Sequence, residues 1–314
     1  PVLLFVILMI LLYIPPVQNL LRREVTAYAS KATGMQIQVE RIDLRFPLNL
    51  LVRGVEVIQQ PDTLLSLESL NVRVQAWPLV KGKVEVDEVT LSQVAFNSAN
   101  LIEGMKIKGV LGRFFLQSHG VDLSNELAVI NQTELSDTHV QMLMNDTTTT
   151  PKDTTASAPV NWKVDLHKLK LKNVSFSMQL PADSMRMAAH IGEAFINDAQ
   201  ADLKNQFYEL KQFLLSGSSA NYDTGAAKPG EGFDASHIAV RDIRIGLDSL
   251  LYKGRDMNAV IREFSMNERS GLSITSLTGR AFSNDSIIRI PGIKLQTPHS
   301  EIDLSAQTYW ELVN

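Results

Sequence analysis

From residue 35 onward, apolar and polar side chains alternate with the period of a β-strand, and the alternation slips at regular places. Val84, Val86, Val89, Leu91, Val94 and Phe96 are separated by steps of 2, 3, 2, 3 and 2. Val164, Leu166, Leu169, Leu171, Val174 and Phe176 repeat those steps, and so do Phe233, Ala235, Ile238, Val240, Ile243 and Ile245. A helix, turning about 100° per residue, would scatter such positions around its circumference, so they form no helical face. A strand has period 2, and each 3-step therefore carries one residue too many. The skipped positions are polar: Asp87 and Glu88, His167 and Lys168, Ser236 and His237. A β-bulge, or a sharp corner between short strands, absorbs the extra residue and returns the apolar side chains to one face. Repeated devices of this kind bend and twist a sheet. Shorter versions (2, 3, 2) lie at 37–44, 50–57, 65–72 and 288–295.

A longer repeat lies beneath this pattern. A single ungapped shift places Val84 on Val164, Leu91 on Leu171, Val94 on Val174 and Phe96 on Phe176. The same shift places Gly112 on Gly192, Phe115 on Phe195, Asn125 on Asn205 and Leu135-Ser136 on Leu215-Ser216. A unit this long holds several strands. The third copy starts at Phe233, a shorter interval after Val164, and matches only in its first motif.

The opening stretch from Pro1 to Ile14, PVLLFVILMILLYI, carries no charge and is read as the end of a membrane helix whose start precedes Pro1. No small-x-small cleavage site follows, so an uncleaved anchor is expected over 1–16, with Pro15 and Pro16 breaking the helix. Val17, Leu20, Leu21, Val25, Tyr28, Ala29 and Ala32 then recur at helical spacing, predicting an amphipathic helix over 17–34 that Gly34 ends. Such a helix lies on a membrane surface or plugs the end of a sheet, the second being the commoner use. Sheet units are expected over 35–144 and 160–314, the latter continuing past the last residue, with a flexible Thr/Pro-rich loop (NDTTTTPKDTTASAP) over 145–159.

Composition narrows the chemistry. The net charge of −4 and thinly spread Lys and Arg lack the clustered basic footprint of a nucleic-acid binder. With no cysteine, the chain has no disulfide framework, thiolate metal site or cysteine nucleophile. None of the six His pairs with another at metal-ligand spacing, and His167 and His237, in the polar 3-steps, are expected to be solvated. There is no Gly-x-Ser-x-Gly elbow, phosphate-cradling loop or dinucleotide fingerprint. Asp87 and Glu88 are adjacent on a strand, point to opposite faces and read as solvated edge charges. The triplets beginning at Asn131 and Asn173 match a glycosylation pattern that chance explains in a chain this rich in Asn, Ser and Thr. No catalytic residue, metal or cofactor is expected. What remains is the apolar face. It is either the core of a β-sandwich or an open groove for a ligand; linear repetition and an N-terminal membrane stretch favour the groove.

The order of these features resembles a known family. A membrane stretch runs into Pro-Pro and an amphipathic helix, followed by GMQIQVERIDL from Gly34, GVEV from Gly54, LNVRV from Leu70 and VEVDEVTL from Val84. Together with IPGIKLQTP from Ile290, this looks like the start of AsmA-like proteins, and among them the TamB type, inner-membrane subunits of translocation and assembly modules. The resemblance implies an elongated, curved, mainly β groove (a β-taco of repeating units) that bridges the periplasm from a single-pass inner-membrane anchor. It implies phospholipid as cargo and help in outer-membrane protein assembly. It also implies a C-terminal region, outside this chain, that meets an outer-membrane barrel. On this reading Val84, Val86, Val89, Leu91, Val94, Phe96, Val164, Leu166, Leu169, Leu171, Val174, Phe176, Ile238, Val240, Ile243 and Ile245 line the groove. An assembly scaffold that pairs client strands on its edges is the first rival; an adhesin or enzyme-bearing ectodomain is the second.

Overall fold

A computed structural model describes residues 14–46, 48–75, 78, 85–99, 101–122, 126–145, 161–225 and 228–312. Residues 1–13 of the expected anchor, Val84, and 146–159 of the Thr/Pro-rich segment lie outside these. The helix α1 (Pro15–Thr33) includes both prolines, which belong to it and not to the stretch before it. A proline in the first turn has no N–H to lose and a φ already set for a helix. Ile14, just before it, is extended, and Gly34 ends the helix in the left-handed region with its N–H bonded to the Ser30 carbonyl. Among the described residues, no helix is long and apolar enough to cross a membrane.

The strands β1 (Gln36–Arg45), β2 (Asn49–Gln59), β3 (Asp62–Val74), β4 (Val86–Asn97) and β5 (Met105–Asp122) follow. Next come β6 (Leu127–Met144), β7 (Lys163–Leu180), β8 (Met185–Asp202), β9 (Phe207–Asp223) and β10 (His237–Lys253). The last are β11 (Asp256–Glu268), β12 (Ser273–Ile274), β13 (Ser276–Ser283), β14 (Ile287–Gln296) and β15 (Glu301–Tyr309). All belong to one curved sheet in which each strand pairs with the next, except that β12 is a short attachment to β11. β1 and β15 are its edges and do not meet, so the sheet is open.

The long repeat is a three-strand unit. The shift that carries Val84 onto Val164 also carries both ends of β5 onto the ends of β8, and the start of β6 onto the start of β9. An odd number of antiparallel strands would leave the next copy running backwards. The parallel pairing of β6 with β7 restores the direction, so Leu135 meets Leu171 and Val140 meets Phe176 with both copies aligned. β9 pairs with β10 antiparallel, so the third copy is inverted, and its 3-steps no longer fall opposite those of its neighbour. Register shifts result between Val240 and Ile243 and between Ile243 and Ile245. Phe233 and Ala235 precede β10 and are exposed, so the third motif begins within the strand at Ile238.

No second sheet lies on the first among the described residues. Among the described residues, only Leu48, Leu64, Leu67, Ala128, Leu180 and Ala194 are buried apolar residues, few for so large a sheet, and strands contact chiefly their sequence neighbours. A sandwich would have buried two facing layers. Between the sandwich core and the open face, the structure decides for the open face.

Candidate functional site

Pairing assembles the apolar positions into rows that cross the sheet. Ile42, Val52, Leu70, Leu91, Phe114, Leu135, Leu171, Ala194, Leu215, Ile245 and Phe264 form one row, each the direct partner of the next. A second row starts at Leu44 and Leu50 and runs through Val72, Val89, Leu116, Thr133, Leu169, Ile196 and Phe213. It continues through Leu247, Ile261, Gly279 and Ile293 to Leu304 on β15. At about 4.8 Å between neighbouring strands, this second row marks out roughly 60 Å of sheet. Its only interruptions are Thr133 and Gly279. Half-buried side chains predominate along both rows, so the face is apolar and largely uncovered.

The 3-steps explain how the sheet bends. Across β1–β8 the ladder omits one residue on both strands at the same level, Glu40, Gly54, Glu68, Gln93, Gly112, Asp137, Asn173 and Gly192, and between β8 and β9 it omits Ile191-Gly192 opposite Gly217-Ser218. Because neighbours omit together, no strand slips, and the extra residues stack into a continuous crease. Two successive polar residues facing outward lengthen the outer surface, so each strand bends toward the apolar side. Gly54, Gln93, Asp137, Asn173 and Gly217 take the left-handed backbone this needs. Asn173 Nδ2 donates to Asp137 Oδ1 across two strands at 2.8 Å. A second crease crosses β6–β10, where the omitted residues include His167, Asp198 and Lys211. His167 Nδ1 lies 3.1 Å from Asp198 Oδ1, and Lys211 Nζ lies 3.7 Å from Asp198 Oδ2. The His167 hydrogen bond holds Asp198 below the usual carboxylate range, with the Lys211 charge adding to it. The creases leave the two rows above as the floor, with further apolar positions rising on either side.

Every described member of the expected groove set falls on this face. Leu91, Leu171 and Ile245 are in the first row, and Val89 and Leu169 in the second. Phe96 and Phe176 belong to a row that Gly109 and Val140 join between them, and Val240 lies further along it. Val94 and Val174 fall in the row with Leu67 and Leu111, and Ile243 pairs with Ser218 of β9. Ile238 continues a row through Tyr222, Met187 and Met178, and Val86 pairs with Val74 of β3. Val164 and Leu166 join Ala199, Tyr208, Leu210 and Leu250 around a shallow cavity of 240 Å³. Tyr208 and Tyr252 lie beside it with ring centroids 6.0 Å apart.

Sequence reasoning missed the contributions of β5, β8 and β9. The signal was present. In β8, Met187, Ala189, Ile191, Ala194, Ile196, Ala199 and Ala201 carry the same 2- and 3-steps. Alanine there, and Ser218 in β9, hid the period from a count of large apolar residues. Phe115 and Phe195, prominent in the repeat, sit one residue along from Phe114 and Ala194 and so on the opposite face.

Two polar expectations change. His237 is buried, not solvated, with Nδ1 2.9 Å from Asp234 Oδ2. Asp87 and Glu88 are half-buried, not solvated: Gln75 Nε2 donates to Asp87 Oδ1 at 2.5 Å, and Arg73 pairs with Glu88 at 3.2 Å. Near His237, Ala239 N–H donates to Glu268 Oε1 at 3.2 Å and Ser270 N–H to Oε2 at 2.6 Å. Ser270, through its side chain and then its N–H, holds Glu268 at about 2, well below the ordinary 4.5, and the N–H groups of Ala239 and Arg269 assist. A depressed carboxylate pKa stabilises the fold above its unfolded value, and that contribution is lost as pH falls through the folded one. As pH drops from 4.5 toward about 2, the amides of Ala239 and Ser270 are expected to lose protection in hydrogen exchange. Glu268→Gln should remove this pH dependence; protection unchanged across that range in the unaltered chain would contradict the assignment.

Among the described residues, no group of three or more His, Asp or Glu could hold a metal ion. No family model and no curated protein matches this chain.

Proposed function

We propose that this chain is a non-catalytic lipid conduit. It is anchored in the bacterial inner membrane by its N-terminal stretch, with its bulk in the periplasm, and carries phospholipid along the apolar face toward the outer membrane. The observation that carries this reading is the uncovered apolar row that runs through β1 to β15. Moving a CH₂ group from apolar surroundings into water costs about 0.8 kcal/mol, so a two-chain lipid with about thirty such groups faces roughly 24 kcal/mol in crossing water bare. A continuous apolar trough removes most of that barrier while the head group stays in water. No reaction is required, only desolvation shared among many side chains. The resemblance to TamB-type AsmA-like proteins supports the same reading. An outer-membrane barrel partner would need a region outside this chain.

The test is photo-crosslinking in bacterial membranes. A photoreactive amino acid at Leu171 or Leu135 is expected to yield phospholipid adducts, whereas at Lys172, the next residue along, it should yield none. Equal adducts at all three positions, or none at any, would overturn the conduit.

One observation favours a second reading, a scaffold for outer-membrane protein assembly. β15 is an edge with no strand on its far side among the described residues, and Ile302 and Leu304 are 50% and 47% exposed. An open edge offers its backbone to an incoming strand. Proline substitutions along β15 would impair a scaffold more than a charge on the apolar face would.

A further inference from the structure

α1 meets the sheet with its polar side. Gln18, Arg22, Thr26 and Ser30 recur every fourth residue and form one stripe along the helix. Gln18 Nε2 donates to the Leu44 carbonyl at 3.0 Å, and Arg22 Nη1 to the Glu40 carbonyl at 2.6 Å. Between them the Thr26 hydroxyl is buried without a hydrogen-bond partner, and the N–H of Ile37 donates to Ser30 Oγ at 3.0 Å. These are groups on the β1 edge, which side chains satisfy here in place of another strand. α1 covers the β1 edge of the sheet, and does so through its polar stripe: a strand edge lacks hydrogen-bond partners, and that stripe supplies them.

Part of the apolar stripe faces away from the sheet, while Val17 and Ala29 are half-buried. Leu20, Val25 and Tyr28 are 56%, 52% and 77% exposed. We propose that this stripe lies in the lipid–water interface of the membrane, so that α1 joins the bilayer surface to the first strand of the apolar face. The proposal rests on the membrane-anchor reading of the N-terminal stretch. Two observations select a lipid surface as the occupant. Only the uncharged segment PPVQN separates the uncharged apolar residues 1–14 from Leu20, so the stripe follows closely on an apolar segment. The helix also carries exposed Arg23 and Lys31 against a single acid, Glu24, which suits anionic head groups. Tyr28 is an aromatic side chain with a polar tip, the type enriched at that depth. The consequence is geometric: the apolar rows begin at Ile42 and Leu44, beside the helix, so a lipid would enter the groove from the bilayer without passing through water.

The chain has no cysteine, so a single introduced one can be labelled uniquely. Tyr28→Cys, Val25→Cys and, on another side of the helix, Asn19→Cys would carry an environment-sensitive fluorophore. The full chain would be reconstituted into vesicles of phosphatidylethanolamine and phosphatidylglycerol. Several-fold stronger quenching by head-group-level lipid quenchers at positions 25 and 28 than at 19 is the expected result. Equal quenching at all three would overturn the proposal. So would a blue shift without lipid quenching, which would mean that a second copy covers the stripe. Failure of the chain to float with vesicles would remove the anchor on which it rests. Should position 28 be quenched while Leu171 gives no lipid adduct, the conduit reading falls and the interfacial helix stands.

Discussion

Leu171→Asp is expected to divide the apolar face in two. Leu171 sits in the middle of the first row, directly paired with Leu135 on one side and Ala194 on the other. A carboxylate at the centre of a hydrocarbon layer costs about 3 kcal/mol, which lowers lipid occupancy at that point roughly a hundredfold. With photoreactive residues introduced elsewhere in the same row, phospholipid adducts should persist at Leu91, on the α1 side, and disappear at Leu215, beyond the block. Leu171→Ala leaves the row apolar, and adducts should remain at both positions. Leu171 is half-buried on an open face, so the charged variant should still fold, losing about 1 kcal/mol. Loss at both positions in a folded Leu171→Asp protein would mean that lipid does not enter from the α1 end. Identical behaviour of the Asp and Ala variants would mean that the face does not conduct lipid.

The row containing Leu171 was partly legible beforehand. The 2, 3, 2, 3, 2 steps identify which residues of β4, β7 and β10 share a face, because a strand allows no other arrangement of those offsets. The recurrence of the same steps at Val84 and Val164 identifies a repeating unit. What the steps do not contain is a neighbour. Whether the extra residue at Asn173 makes an isolated bulge or part of a crease depends on whether Asp137 and Gly192 are omitted at the same level, and only pairing fixes that. The parallel join of β6 to β7, which aligns the two copies, is a property of topology and leaves no trace in periodicity. α1 teaches a related lesson. Its helical stripe was visible, yet the surface it meets is a strand edge, where hydrogen-bonding groups select the polar side. His237 was misread for a comparable reason, since a polar position in a 3-step is solvated only if no loop folds over it, and Asp234 approaches it from the preceding turn.

Gly192→Val is expected to be the most destabilising single substitution in the crease. A Cβ at Gly192 would lie 2.5 Å from the Gly217 carbonyl oxygen and 2.9 Å from that of Ser216. Both obstacles are backbone atoms of β9, so no rotamer change relieves them, and the two strands must part where the sheet bends. Overpacking of this kind costs about 3 kcal/mol, and a branched side chain adds to the crowding. Gly292→Ala is the matched control: it too lies in a strand, and an added Cβ there meets nothing within 4 Å. Chemical denaturation should show a lowered midpoint for the first variant and a change within about 0.5 kcal/mol for the second. If Gly192→Val were as stable as the control, the close approach of β8 and β9 at the crease would be wrong, and with it the account of how the sheet curves. Gly112 occupies the same level in the first copy, where a Cβ would meet Asp137 Cβ at 2.7 Å. The recurrence of glycine at these two equivalent positions of the repeat thus has a physical cause, because each lets a neighbouring strand close over the crease and turns the apolar rows inward.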